Sequence, residues 1–201
     1  MPAYATIMFD FAKASRPGLV RRFYERFVTR DVTFFKAFEW GCPPDLSLEQ
    51  IIEWNQQKLD DDFIIGDDEH VSNDYRQVLF SAPPFSECRV FILNEDNAAI
   101  TFHCIVPESE IEVTNCGSLL AAAEQIWSDL PVRVIDTCWE LDDTVSYNGL
   151  SKGIVPTARL FAFVDELSPE IWMERFEVQC YSRGFRLHRK DALRQEWIEL
   201  E

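Results

Sequence analysis

The sequence predicts an α+β fold in which an antiparallel or mixed sheet carries helices mainly on one face. Short runs of β-branched and aromatic residues recur along the 201-residue chain, and four other stretches repeat apolar residues at helical spacing. A strand–helix–strand order occurs at residues 4–38 and again at 159–187, so two β-α-β-like units flank a hairpin-rich centre. No Pro- or Ser-rich linker interrupts the composition, and we therefore expect a single globular domain over residues 1–201.

The N-terminal unit contains the first strand, helix and second strand of the prediction. Tyr4 to Phe11 (YATIMFDF) is β-branched and aromatic, which predicts a buried strand, and residues 33–38 (TFFKAF) predict the next one. Ser15 and Pro17 predict a helix start between them, because a proline in the first helical turn loses no hydrogen bond. The wide apolar face of this helix is formed by Leu19, Val20, Phe23, Tyr24, Phe27 and Val28.

The centre of the chain predicts a helix, an acidic loop and several short strands. Ser47 and Gln50 have the spacing of a capping box, which opens a helix that continues to Leu59. The stretch from Asp60 to Asp74 follows as a predicted exposed loop. The predicted strands then cover residues 77–80, 89–93, 99–105 and 111–113, with a hairpin loop at residues 94–97.

The last part of the chain predicts two more helices between short strands. Residues 119–130 have helical spacing and end at Pro131, and residues 132–138 and 159–164 predict strands around the polar stretch 142–153. That stretch contains the turn signal Asn148-Gly149. Ser168-Pro169 predicts a further helix start, with Gly184 as its left-handed cap. This helix carries Trp172, Met173, Phe176 and Cys180, and closing strands are predicted at 185–187 and 197–200.

Composition limits the class of protein. Hydrophobic residues make up 47% of the chain and include 16 Phe and 6 Trp, which is enough for a folded core. No apolar run is long enough for a membrane span, and the first residues lack a basic region and a cleavage site typical of a signal peptide. We therefore expect a cytoplasmic protein whose six cysteines are mostly free thiols.

Negative charge is concentrated in two segments. The first acidic window, residues 44–74, contains ten acidic residues and one lysine, for a net charge of −9. The second acidic window, residues 108–143, contains nine acidic residues and one arginine, for a net charge of −8. The whole chain carries −16, so the remainder is close to neutral. Clustered charge of one sign steers association with partners of the opposite sign.

Motifs for catalysis, metals and phosphates are missing from the sequence. The three histidines are scattered and no C-x-x-C occurs, so no metal or cofactor is predicted. The acidic stretch beginning at Asp61 resembles a calcium loop only in Gly66, because Phe63 and Ile65 replace oxygen ligands. Cys42, in a Trp-Gly-Cys-Pro-Pro loop, is the thiol most typical of an exposed nucleophile, but a tight turn before a helix, with Trp40 packed on the core, is the better explanation.

Nucleic-acid binding is not expected. Two basic stretches, residues 13–36 and 183–194, could form a patch, but the net charge of −16 repels a polyanion. We interpret their arginines as solvated helix faces or as internal counter-charges to the acidic windows. The acidic windows are complementary to a basic protein surface, which favours a protein partner. The competing explanation of the clustered charge is that it keeps the protein soluble. The binding hypothesis requires the two windows to share one face; on opposite sides, the solubility explanation is favoured.

The C-terminal quarter carries a resemblance to a known family. The run Leu167-Ser168-Pro169-Glu170-Ile171-Trp172, followed by a helix, Gly184 and Trp197, resembles the ending of the immunity protein 52 group. Such small acidic α+β chains are similar in type to bacterial immunity proteins that neutralise polymorphic or type VI secreted toxins. The resemblance implies an antitoxin that blocks a toxin of restriction-endonuclease-like type by occlusion, without catalytic residues of its own.

These observations lead to a functional hypothesis with two alternatives. We expect a non-catalytic protein that occludes the basic active-site cleft of a cognate, nuclease-like toxin. The alternatives are an enzyme, such as a Cys- or carboxylate-dependent hydrolase assembled from distant residues, and an adaptor subunit. The predicted partner-binding residues are Trp54, Asp60, Asp61, Asp62, Asp67, Asp68, Glu69, Asp136, Trp139, Glu140, Asp142 and Asp143.

Overall fold

A computed structural model describes residues 3–38, 43, 45–64, 74–95, 99–111, 116–166, 174–181 and 183–191. Within these ranges the chain has an α+β fold, as the sequence predicts. The strands are β1 (Tyr4–Ala12), β2 (Thr33–Ala37), β3 (Val78–Ala82), β4 (Phe85–Glu95), β5 (Ala99–Pro107), β6 (Val132–Cys138), β7 (Ala162–Val164), β8 (Phe176–Cys180) and β9 (Phe185–Arg189). The helices are α1 (Leu19–Phe27), α2 (Leu48–Asp60), α3 (Gly117–Asp129) and α4 (Tyr147–Ser151).

All of these strands belong to one antiparallel sheet, in the order β2-β3-β4-β5-β1-β6-β7-β9-β8. The N-terminal strand β1 is central, because it pairs with β5 on one side and β6 on the other. The next strand in sequence, β2, lies at the edge. The first β-α-β-like unit therefore does not form a pair of adjacent strands.

The three long helices pack on one face of the sheet. The apolar stripe of α1 is buried as predicted, and Phe23 stacks on Phe102 of β5 with ring centroids 4.0 Å apart. Helix α2 begins with the predicted capping box, in which Ser47 Oγ accepts from the Gln50 backbone N–H and the Gln50 side chain bonds the Ser47 backbone. Both patterns are local, so periodicity identifies both helices and the capping box locates the start of α2. Helix α1 begins at Leu19, after Gly18, and not at the start predicted from Ser15 and Pro17.

The opposite face is covered near its centre by the segment 144–158, named here the covering segment. This segment includes α4 and lies over Met8 of β1, whose sulfur contacts Thr144 Oγ1 at 3.3 Å. Val134, Ala162 and other residues of β6 to β9 form a second, smaller core beneath it. The polar stretch around Asn148-Gly149 therefore contains a short helix in addition to a turn.

The region after residue 174 differs from the prediction. Phe176 and Cys180 lie in strand β8, which pairs with β9, and not in a helix. Gly184 has a positive φ of 62° as predicted, but it lies in the β8–β9 connection and is not a helix cap. A Cβ there would stand 2.1 Å from the Val164 carbonyl oxygen, so glycine is required. Of the strand predicted at 111–113, only Ile111 is described, and it ends the turn 108–110 and is not in a strand. The run 167–172, Met173, Trp197 and the strand predicted at 197–200 lie outside the described residues.

Candidate functional site

Two carboxylates of the first acidic window pair with basic residues of the N-terminal region. Asp62, just after α2, lies 3.2 Å from Lys13 Nζ and 3.7 Å from Arg16 Nη1, and it accepts a hydrogen bond from Asn94. Arg21 of α1 pairs with Glu49 of α2. The interpretation of the basic N-terminal residues as internal counter-charges is therefore confirmed for these pairs.

The remaining predicted residues of this window occupy different environments. Asp60 and Asp61 are exposed, and Asp60 accepts from Gln56 one turn earlier on the same helix. The hydrogen bonds from Asn94 and Lys13 lower the pKa of the Asp62 carboxyl. Three predicted residues lie outside the described part of the chain: Asp67, Asp68 and Glu69.

Trp54 is a framework residue of α2 and not a projecting anchor. Its indole Nε1 donates to the Asp74 carbonyl at 3.1 Å, and the side chain is only partly exposed. The Arg76 guanidinium stacks on the indole at 4.2 Å, and Lys58 Nζ lies 5.3 Å from the ring. Trp54 therefore fixes the segment that leads into β3, and it leaves only part of its surface for a ligand.

The second acidic window is divided between buried and exposed carboxylates. Asp136 is fully buried and accepts hydrogen bonds of 2.8–3.0 Å from four backbone N–H groups, those of Thr137, Val145, Thr157 and Ala158. Burial raises the pKa of Asp136 to about 6, while the four N–H donors act in the opposite direction. Asp136 has no surface to offer a partner, so its prediction as a contact residue is corrected.

Asp136 instead holds the covering segment against the sheet. Its partners come from two points of that segment, at Val145 and at Thr157–Ala158. Asp10 of β1 is also fully buried, binds Arg133 at 2.6 Å, and accepts from the Tyr147 N–H. Two buried carboxylates thus add hydrogen bonds to the apolar contacts of Leu150, Val155 and Ala158, and together they fix where the segment begins.

The residues immediately before the covering segment form an exposed acidic surface. Glu140 and Asp143 are exposed, whereas Asp142 pairs with Arg159 at 2.7 Å and Trp139 packs partly buried against the core. Between them, Leu141 is 98% exposed. The Glu140 N–H lies 3.4 Å from Glu108 Oε2, which brings the turn 108–110 alongside. Residues 140–143 with Glu108 and Glu110 are named the acidic tip.

Asp62 of the first acidic window and the acidic tip of the second lie at opposite ends of β1. Asp62 contacts Lys13, directly after β1, whereas the Glu108 N–H bonds the Ala3 carbonyl, directly before β1. The nine residues of β1 separate these ends by roughly 26 Å. Asp62 and Glu140 are therefore too far apart to belong to one continuous patch, whereas helices α2 and α3, one from each window, both pack against α1.

Leu141 is the feature that sequence reasoning missed. It is a single apolar residue between Glu140 and Asp142, outside any helical or alternating pattern. Isolated exposed leucines are common, so sequence alone does not distinguish this one. The distinguishing signal is structural, because the side chain projects from a loop fixed on both sides by buried hydrogen bonds.

The thiols and imidazoles of the described residues give no nucleophilic pair. Cys88 and Cys104 are buried with sulfur atoms 3.6 Å apart, and burial raises the pKa of Cys116 to about 11 and of Cys138 to about 12. Burial also lowers the pKa of His103 to about 4, and its ring stacks on Phe91. Cys42 lies outside the described residues. Among those described, no group of three or more potential ligands could hold a metal ion.

Comparison of the chain with models of known families, with curated proteins and with solved structures gives no match. No helix in the described part has the length and apolar character needed to cross a bilayer. The site therefore has to be interpreted from its own geometry.

Proposed function

We propose that this chain is a non-catalytic binding protein that captures a basic protein partner with the acidic tip. The observation that carries the proposal is Leu141, which is 98% exposed and has acidic neighbours on both sides. An apolar side chain projecting into water gains free energy when a partner pocket buries it. Binding energy in protein interfaces is concentrated in such anchors, and the surrounding charges set the rate of association.

The support beneath the tip favours binding by a preformed surface. Asp136 and Asp10 fix the covering segment through the Val145 and Tyr147 N–H groups, and Arg159 binds Asp142 at the edge of the tip. A loop held in this way loses little conformational freedom on association, which strengthens binding. Glu140, Asp143, Glu108 and Glu110 supply the charge that selects a basic partner.

A cytoplasmic immunity protein is the biological role we propose for this arrangement. A nuclease-like toxin presents Lys and Arg residues where it binds phosphates, and a rigid acidic loop with a central leucine suits such a cleft. The tip would occlude the cleft without any chemical step. The resemblance of the run 167–172 to the immunity protein 52 group motivates this role, although residues 176–180, which that resemblance places in a helix, form β8.

The test starts from purification of the native protein with its partner from its own host. Mass spectrometry identifies the partner, and calorimetry then measures the Kd for variants of the tip. We expect Leu141→Ser to weaken binding by about 30-fold, because anchor residues contribute about 2 kcal/mol or more. The double variant Glu140→Lys with Asp143→Lys is expected to slow association about tenfold at low salt.

The matched control places the same charge change in the first window. Asp60→Lys with Asp61→Lys alters the net charge equally but lies at the other end of β1. We expect this control to bind within about twofold of the wild type, the residual long-range effect being screened by salt. If the control loses affinity while the tip variants retain it, the first window is the binding site and the proposal is wrong. A partner without a basic surface also contradicts it.

A further inference from the structure

Stacking of arginine on aromatic rings recurs in this structure, and the arginines concerned are normally paired. Five arginines in the described residues lie over an aromatic ring, and four of them also bind a carboxylate. The pairs are Arg89 with Glu87 at 3.3 Å, Arg133 with Asp10 at 2.6 Å, Arg183 with Asp165 at 2.8 Å and Arg186 with Glu124 at 2.6 Å. Carboxylates are the natural partners of a guanidinium, because two parallel hydrogen bonds can form.

Arg76 is the exception. Its guanidinium lies 4.2 Å from the Trp54 ring, yet it makes no ion pair or side-chain hydrogen bond with any residue in the part of the chain that the structure describes. Arg76 is only 9% exposed, so water replaces a partner poorly. A buried cation without a counter-charge costs free energy that the aromatic ring offsets only in part.

The backbone of Arg76 is held in place by a dedicated contact. The fully buried Asn55 side chain accepts from the Arg76 N–H at 2.6 Å and donates to the Arg76 carbonyl at 2.9 Å. The neighbouring Trp54 binds the Asp74 carbonyl at 3.1 Å. Consecutive residues of α2 thus fix the segment that carries Arg76, and the guanidinium is positioned before any ligand arrives.

Arg76 and Trp54 line a groove of about 390 Å³ along the outer surface of α2. Pro43 and Leu46 supply apolar walls, and Gln57 and Glu53 line the helix side. This volume lies within the range of small-molecule sites, which typically combine apolar walls with a few polar groups. The groove therefore joins an apolar surface of ligand size to a fixed cation that has no ion-pair partner among the described residues.

We propose that this groove binds a small monocarboxylate ligand with a compact apolar body. The carboxylate pairs with the Arg76 guanidinium, and the body lies against Leu46 and Pro43. Glu53 is exposed in the same groove and makes a second negative charge on the ligand unfavourable, which disfavours phosphates and dicarboxylates. The site is separate from the acidic tip, so its occupation does not depend on the function proposed above.

The probe is benzoate, compared with benzamide as its neutral isostere. Two-dimensional NMR of the full chain follows the Trp54 indole N–H, the Arg76 side-chain Nε–H and the Leu46 methyl groups during titration. We expect benzoate to shift these resonances in a saturable way at millimolar concentrations, and benzamide to leave them nearly unchanged. An equal response to both probes, or no response to benzoate, overturns the proposal.

Two arginine variants test whether benzoate binding depends on the charge of Arg76. Arg76→Gln is expected to weaken benzoate binding at least tenfold, because a charge-assisted pair is lost. Arg89→Gln is the matched control, since Arg89 also stacks on aromatic rings but is paired with Glu87; it should bind benzoate as the wild type does. Equal loss in both arginine variants contradicts the assignment.

The third variant is expected to strengthen benzoate binding, and it leaves every buried residue in place. Glu53→Gln removes the repelling carboxylate from an exposed helix position, so it should fold normally and tighten benzoate binding about threefold. The affinity for benzoate is also expected to fall with added salt. If Glu53→Gln leaves the affinity for benzoate unchanged or weakens it, Arg76 and Glu53 do not face the same bound ligand, and the proposal is wrong.

Discussion

The two acidic windows carry nearly equal charge in the sequence, −9 and −8, but the structure uses them differently. In the first window, Glu49 and Asp62 pair with Arg21, Lys13 and Arg16. In the second, Asp136 is buried as a loop anchor while Glu140 and Asp143 remain exposed around Leu141. Charge density along a chain therefore does not predict an acidic surface, because the counter-charges come from distant segments.

The first acidic window and the acidic tip also differ in the interactions that stabilise them. The ion pairs of the first window are exposed, and such pairs contribute little to stability because water and salt screen them. The tip depends on the buried carboxylate of Asp136, which accepts two buried and two partly buried hydrogen bonds. Removal of an acceptor from buried donors is costly. Mutations at the two regions should therefore differ more in stability than their charges suggest.

The largest expected effect is that of Asp136→Ala. Four N–H groups, two of them in buried and two in partly buried hydrogen bonds, lose their acceptor, and we expect the free energy of unfolding to fall by about 4 kcal/mol. Urea denaturation measures the change. Asp142→Ala, which breaks only the partly exposed pair with Arg159, is the control and should cost less than about 1 kcal/mol. Equal losses in the two variants would show that Asp136 does not anchor the covering segment.

The pH dependence should have opposite signs in the two regions. The pKa of Asp136 is raised from 3.8 to about 6, so its contribution to stability is fully present below pH 4 and is lost as the pH rises through 6. The loss is about 3 kcal/mol. It is measured as the difference in pH dependence between the wild type and Asp136→Ala. The pKa of Asp62 is lowered, so its pairing is present above its unfolded pKa and is lost as the pH falls.

A carboxyl-carbon NMR titration checks both directions directly. Asp136 is expected to titrate near 6, and Asp62 below its ordinary value of 3.8. Titration of Asp136 at or below 3.8 would mean that the four N–H donors outweigh burial, and the stability change would then reverse its sign.

Local rules locate most elements of the fold. The apolar stripe of α1, the capping box of α2 and the runs of apolar and β-branched residues in β1 and β5 depend on neighbours a few residues apart. Residues 176–180 have helical spacing with the residues before them, yet they form β8 because β9 pairs with them. The sheet order is likewise set by contacts between distant segments, such as β1 with β6, and no local pattern encodes it.

The candidate sites were less accessible to sequence reasoning for the same reason. Exposure of Leu141 depends on the anchoring of residues 144–158 by Asp136, and the isolation of Arg76 depends on which carboxylates reach it. Neither condition is a property of the residues nearby in sequence. The basic residues Lys13, Arg16 and Arg21 were correctly interpreted as counter-charges, because charge balance is a property of the whole composition.

A smaller change in stability is expected for a substitution in the first acidic window. Asp62→Asn removes the charge that faces Lys13 and Arg16, while asparagine tolerates the positive φ of 54° at this position. The side chain is exposed, so we expect a shift in the denaturation midpoint near the limit of detection and a weaker dependence of stability on salt. A large loss of stability would show that this ion pair, and not only the buried Asp136, is a structural support.

The smallest effect on stability, and the one that separates folding from binding most clearly, is expected for Leu141→Ser. Because Leu141 is 98% exposed, the folded state buries almost none of its surface, and the free energy of unfolding should change by less than about 0.5 kcal/mol. Denaturation of the free protein measures this value, and partner affinity is measured on the same sample. An unchanged stability with weakened binding identifies the leucine as an interface residue. If stability falls by several times this amount, Leu141 packs within the folded chain and cannot be the anchor of the acidic tip.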